Sequence, residues 1–269
     1  MEMAEKITFS LEDEEFFGPK GSFGIPKFDS TLDGGIPRGF FVIAIVETGS
    51  GAELFGKQFV SPAEEPDNTL YVSTSETGAQ IFSIFDKYGW PKDIGVRTMG
   101  EEYNQRVLNK ELQASRFRLE GFTMPDIQKL AQTRFVDDEA EDFLTELTNE
   151  IMSLGHYFRA VIDSMDFFFN REDPSRVLAM VRMMQAHTQM NRGLLLCTVS
   201  DSTVTKAMEQ ELEMLADMVL KFEVHRMGNE FDTRMVIRKF RNSPENLAIV
   251  SFKVTPEEGI TPETVQRII

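Results

Sequence analysis

Phe40-Phe41-Val42-Ile43-Ala44-Ile45-Val46-Glu47-Thr48-Gly49-Ser50-Gly51-Ala52-Glu53 passes from an apolar run through a glycine turn into Glu53 to Val60, a segment with helical character. Strand, glycine turn and helix are the setting in which backbone N–H groups face an anion at a helix N-terminus. In the loop pattern G-x-x-x-x-G-K-[ST], the lysine reaches the β- and γ-phosphates and the hydroxyl residue holds Mg²⁺. In this chain the first glycine position is Val46, the lysine position Ala52 and the hydroxyl position Glu53. The glycines of such a loop are kept and its charge chemistry is not. On these residues alone, an ordinary strand-to-helix turn is the alternative.

The residues before the strand separate the two readings. Gly24-Ile25-Pro26-Lys27-Phe28-Asp29-Ser30-Thr31-Leu32-Asp33-Gly34-Gly35-Ile36-Pro37-Arg38-Gly39 resembles the segment that leads into the phosphate loop in the KaiC-like branch of the RecA-type ATPases. The spacing from Gly39 to Gly49-Ser50-Gly51, and on to Gln58-Phe59, is also similar to that family's. The resemblance implies an α/β fold with a RecA-like, mostly parallel central sheet flanked by helices and antiparallel strands toward the C-terminus. It further implies a vestigial phosphate loop at Thr48, Gly49, Ser50, Gly51, Ala52 and Glu53.

A chain of 269 residues, 41% hydrophobic, is long enough to bury a full core. We read an N-terminal arm over 1–23 and a single domain over 24–269. The net charge of −16 speaks against a polyanion-binding surface, because affinity for phosphate backbones comes largely from Lys and Arg. Nucleic acid is therefore not an expected partner. Cys197, the single cysteine, excludes an intrachain disulfide and sits in the apolar run Leu194 to Val199, as a buried thiol would. His156, His187 and His225 have no metal-ligand spacing, and no metal centre is expected. Met1 to Lys6 lacks a signal-peptide pattern, no apolar run approaches a bilayer span, and the expected location is cytoplasmic.

Further along, Thr69 to Thr74 reads as a buried strand and Ala79 to Tyr88 as a helix closed by Gly89. The family places paired acids after this strand, one of which activates the attacking water. The corresponding stretch is Ser73-Thr74-Ser75-Glu76-Thr77, with Glu76 the one acid kept; the alternative is that Glu76 or Thr77 simply begins the next helix, where an acid suits the dipole. Residues 100–155 are the least family-like part. Glu101 to Ala114 and Pro125 to Thr133 have helical spacing, and the acids from Asp137 to Asp142 begin a helix carrying Phe143, Leu144, Leu147 and Ile151. Ser115 to Phe122 alternates basic and aromatic residues and reads as an edge strand, a turn or a partner contact.

Tyr157-Phe158-Arg159-Ala160-Val161-Ile162-Asp163-Ser164 resembles the family's Walker B strand, which makes Asp163 the counterpart of the Mg²⁺-side aspartate; without nucleotide it is a cap or hydrogen-bond partner. Pro174 to Met190 reads as a helix rich in methionine, whose plain role is adaptable core filling. Gly193 to Val199 reads as a strand, Ser202 to Leu215 as a helix, and Met218 to Val224, Phe231 to Phe240 and Leu247 to Val254 as strands. Lys239 and Arg241 match the family's Lys-x-Arg, whose basic groups reach the phosphate held by a neighbouring subunit; a solvated basic turn is the alternative.

The resemblance, together with the altered loop, implies a pseudo-ATPase that works as a regulatory or protein-binding component, with itself or a related ATPase as partner. No resident cofactor is expected, and ATP with Mg²⁺ only if the altered loop still binds. The alternative is an ATPase with a non-standard phosphate loop.

Overall fold

The apolar run at the heart of the sequence is buried on both of its sides. In the computed structural model, which describes residues 20–62, 67–106, 115, 142–227 and 230–267, strand β3 (Phe41–Val46) runs through the middle of a nine-stranded sheet. Its side chains alternate between two cores: Val42 and Ala44 join one, Phe41, Ile43 and Ile45 the other. A strand covered on both faces has no polar side, so its sequence reads as a continuous run rather than an alternation.

The neighbours of β3 are β7 (Leu194–Ser200) and β8 (Met218–Met227), both parallel to it. Beyond β7 follow β6 (Phe158–Asp163), β4 (Asn68–Ser73) and β5 (Gly95–Thr98), again parallel. Beyond β8 the sheet turns antiparallel through β9 (Glu230–Phe240), β10 (Ala248–Thr255) and β11 (Gly259–Arg267). This is the expected α/β architecture, with a parallel centre and antiparallel C-terminal strands. In open sheets of this kind, ligands sit beyond the carboxyl ends of the parallel strands, where the strand order reverses. Here that place is the end of β3, between β7 and β8.

On one face lie α1 (Pro26–Thr31), α2 (Ala52–Phe59) and α3 (Gly78–Tyr88), which contribute Phe28, Phe55, Phe59, Ile81 and Phe85 to the first core. The Phe55 ring lies 5.1 Å from Phe222 and 5.5 Å from Phe23, and burial of one such ring contributes about 1.5–3 kcal/mol. On the other face lie α4 (Phe143–Ser153), α5 (Asp166–Phe169), α6 (Pro174–Met190) and α7 (Lys206–Leu215). Residues 99–106 are also helical.

Several boundaries differ from the sequence reading. Residues 20–23, read as the end of an arm, belong to the packed body: Lys20–Gly21 (β1) pairs with Ile36–Pro37 (β2), and Phe23 is fully buried. α7 begins at Lys206 rather than Ser202, because the Thr205 side chain accepts from the Met208 N–H and fixes the start there. β5 and β11 were not read as strands. β5 is a short, half-buried edge, and β11 carries Pro262, a residue that sheets admit at edges, strand starts and bulges. Asp142 caps α4 through the Thr145 N–H, so the acidic run does end at a helix start. The remaining expectations for residues 107–141, including Pro125 to Thr133 and nearly all of Ser115 to Phe122, lie outside the described residues.

α3 opens on a reciprocal cap. The Thr77 hydroxyl accepts from the Gln80 N–H, and the Gln80 carboxamide accepts from the Thr77 N–H. Thr77→Ala is expected to cost about 1 kcal/mol of stability, seen as a lower urea midpoint with an unchanged slope. An unchanged midpoint would mean the cap contributes nothing.

Candidate functional site

The turn at the end of β3 keeps its glycines for a conformational reason. Gly49 and Gly51 have φ of 85° and 77°, in the left-handed region where a Cβ is disfavoured, and Gly51 is the N-cap of α2. Ser50 between them is buried, and its Oγ has no hydrogen-bond partner among the described residues. Ala52 is buried and Glu53 exposed on the first turn of α2. At the start of the loop, Glu47 is committed to the sheet: its carboxylate accepts from the Val224 N–H at 2.9 Å.

Beside this turn lies a cleft of about 130 Å³, lined by Val46, Ala52, Glu53, Asp163, Ser164, Asp166, Thr198, Val199 and Ser200. Three carboxylates and three hydroxyls make up its polar wall. Asp163, at the end of β6, accepts from the Tyr71 hydroxyl at 2.7 Å and the Thr198 hydroxyl at 2.7 Å. Burial pushes the Tyr71 phenol well up, and the adjacent Asp163 charge adds to this, so Tyr71 keeps its proton and donates it. Asp166 accepts from the Ser200 N–H at 3.0 Å, the Ser200 hydroxyl at 2.9 Å and the Ser164 hydroxyl at 2.5 Å.

Glu76 lies in the corner between β4 and α3. Its Oε2 accepts from Lys57 Nζ at 2.5 Å, and the same ammonium donates to the Glu53 carbonyl at 3.2 Å. The Lys57 side chain is 1% exposed. Lys57 thus points toward Glu76, along its own helix, and does not line the cleft.

Lys239 and Arg241 lie at the other end of the sheet. Phe240 pairs with Met218 at the start of β8, whereas the loop follows Val46, which pairs with Phe222. Both basic residues have partners within the chain. Lys239 Nζ caps the C-terminus of α7 through the Glu213 and Met214 carbonyls at 2.8 and 3.1 Å, and Arg241 pairs with Asp217 at 2.5 Å. Burial raises the Asp217 carboxyl, opposed by the Phe41 N–H and by Arg241; burial also lowers the Lys239 amine, with Arg241 adding to that. Cys197 is buried in β7, and burial alone pushes its thiol far up, which leaves it unreactive at neutral pH. No helix of the described residues is long and apolar enough to cross a membrane.

The structure therefore brings Glu53 and Asp163 to one cleft, places Glu76 beside it in contact with Lys57, and sets Lys239 and Arg241 apart. Sequence reading missed Tyr71, Asp166, Thr198 and the direction of Lys57. A signal existed for the last: Lys57 falls among Phe55, Gly56, Gln58 and Phe59, on a stretch whose other members are all buried.

A family model described as "ATPase: KaiC" covers residues 21–263. The chain belongs to the KaiC ATPase family. Among relatives of the KaiC family chain described here, a UPF0273 protein of Aeropyrum pernix is 24% identical over 253 residues, 91% of this chain and 94% of the relative. Another UPF0273 protein, from Methanopyrus kandleri, is 33% identical over 70 residues, 26% of this chain and 28% of the relative. A KaiC-like protein of Pyrococcus horikoshii has a solved structure that superposes with a TM-score of 0.61 at 19% identity, covering 91% of this chain and 99% of that one. The flagellar accessory protein FlaH of Methanocaldococcus jannaschii superposes at 0.60 with 15% identity, covering 88% and 95%. At these identities the two structures establish the shared KaiC-type fold.

Proposed function

We propose that this KaiC family member does not hydrolyse ATP and works as a regulatory, protein-binding component, in the manner of a pseudo-ATPase. The observation that carries the reading is the charge of the cleft beside the loop. Glu53, Asp163 and Asp166 line it, and among the described residues no lysine or arginine does. Such a donor set does not fit a triphosphate: the position for a phosphate-binding lysine holds a buried methyl, and the position for a Mg²⁺-binding hydroxyl holds a carboxylate, which can ligate Mg²⁺ but repels phosphate. Asp163 has its own donors in Tyr71 and Thr198, and Glu76 has Lys57. Asp163 and Glu76 are thus satisfied by the chain itself, whereas Ser50 Oγ in the turn has no partner among the described residues.

The partners of this reading are proteins, either further copies of this chain or a related ATPase in a mixed assembly. Within it, Lys239 and Arg241 would serve a neighbour's site only by leaving the partners they hold within the chain. Titration of the full chain with a fluorescent ATP analogue and Mg²⁺, beside the Ala52→Lys/Glu53→Thr variant, tests the loop. The expected result is no binding by the wild type and binding by the variant. Micromolar binding by the wild type, with phosphate release that is lost in both Asp163→Asn and Glu76→Gln, would replace this reading with that of an ATPase using a non-standard loop.

A further inference from the structure

Lys57 is a charged side chain placed where the fold offers it no water. It stands one turn beyond Glu53 on the buried side of α2, 1% exposed, with its ammonium between the Glu53 carbonyl and the Glu76 carboxylate. The same ammonium lies 5.5 Å from the centroid of the Tyr71 ring, and the Tyr71 hydroxyl donates to Asp163. One cation therefore joins the first turn of the loop helix, the corner after β4 and, through the tyrosine, the end of β6.

We propose that Lys57 is a built-in counter-ion that keeps Glu76 from acting as a base, a second lock on the site that is independent of the altered loop. The proposal rests on the reading of this chain as a non-hydrolysing family member. A general base must offer a lone pair to the proton it takes, within hydrogen-bond reach. Glu76 Oε2 is held by an ammonium at 2.5 Å, and a proton taken on either carboxylate oxygen would remove the charge that this ammonium faces. That would leave the ammonium, 1% exposed, with the Glu53 carbonyl and the Tyr71 ring but no counter-charge, and stranding one member of a pair in this way is unfavourable. Refitting the loop at Ala52 and Glu53 leaves this contact untouched, because Lys57 reaches only the backbone carbonyl of Glu53. Nucleotide binding and hydrolysis are thus blocked at two different places.

Phosphoryl transfer in a refitted loop would form a bond from a water oxygen to the γ-phosphorus while that phosphorus loses its bond to the β–γ bridging oxygen. The water's proton goes to Glu76, and ADP and inorganic phosphate leave. Lys57 touches this step only through Glu76, which it restrains, and Lys57→Met removes its charge while keeping a long apolar stem. The test compares phosphate release by full-length Ala52→Lys/Glu53→Thr with that of the same variant carrying Lys57→Met. Both are expected to bind the ATP analogue, the first to release phosphate at background, and the second at least about tenfold faster, with the gain lost on adding Glu76→Gln. A lysine that only stabilises the fold would not produce a gain that depends on Glu76. The proposal is overturned if the triple variant stays at background, if its gain survives Glu76→Gln, or if the double variant already matches it.

A second measurement needs no nucleotide. With the native loop, Lys57→Met and Glu76→Gln are made singly and together, and their urea midpoints compared. The lock requires the combined loss to fall clearly short of the sum of the single losses; additive losses overturn it. If the refitted loop binds no nucleotide, the electrostatic account of the loop fails, and this cycle still decides the fate of the Lys57–Glu76 pair.

Discussion

Ala52→Lys/Glu53→Thr is expected to bind ATP more than about a thousandfold more tightly than the native chain, the loss of the Glu53 charge alone supplying about that factor. Two unit charges at 4 Å interact by about 4 kcal/mol at an effective dielectric of 20, and each 1.4 kcal/mol is about tenfold in affinity. In the native chain the Glu53 carboxylate sets that term against a phosphate, and Ala52 supplies no opposing charge. Gly49 and Gly51, with φ of 85° and 77°, are retained in both proteins. Val46, with its Cβ at the loop's first position, is retained in both proteins and cancels from the comparison. An Ala52→Gln/Glu53→Thr control separates charge from shape: it removes the repulsion and adds no cation, and should fall between the other two. Equal affinities in all three would show that the loop's charge does not decide nucleotide binding.

The second large effect concerns stability. Asp67 is 2% exposed and accepts from Arg38 at 2.8 Å and from Arg159 Nε at 3.0 Å. Arg159, fully buried, also donates to the Ser22 and Phe59 carbonyls at 2.5 and 2.9 Å, with its guanidinium 5.0 Å from the Phe59 ring centroid. Through these bonds a single guanidinium ties the segment before β2 and the end of α2 to the start of β6. Asp67→Ala withdraws the carboxylate from two guanidiniums, one of them fully buried. Removing one member of a buried pair typically costs about 3–5 kcal/mol, here expected as a much reduced urea midpoint. Asp67→Asn keeps an acceptor and should lose less. A change under about 1 kcal/mol in Asp67→Ala would show that the other partners of Arg159 suffice, since ordinary surface changes stay within about 0.5 kcal/mol.

The architecture was legible in the sequence because its signals are local. A strand buried on both faces must be apolar throughout, as Phe41 to Ile45 is, and a turn in the left-handed region selects glycine at 49 and 51. Pro174 at the start of α6 and Gly89 at the end of α3 mark their helices for the same kind of reason. The strands at the two edges, β5 and β11, escaped notice because an edge asks less of its residues and so writes less into them.

By itself, then, the sequence determined the central strands and the helices beside them, the glycine turn and the residues replaced within it, since each depends on the backbone preference and burial of neighbouring residues. What only the tertiary structure decided is where the charges go. Lys57 meets Glu76 across 19 residues of chain, Tyr71 meets Asp163 across 92, and Arg159 meets Asp67 across 92. Nothing local specifies such pairs. They follow from the close packing of α2 and the parallel strands, which takes these polar groups out of water and leaves each to be satisfied by whatever the fold brings within about 3 Å.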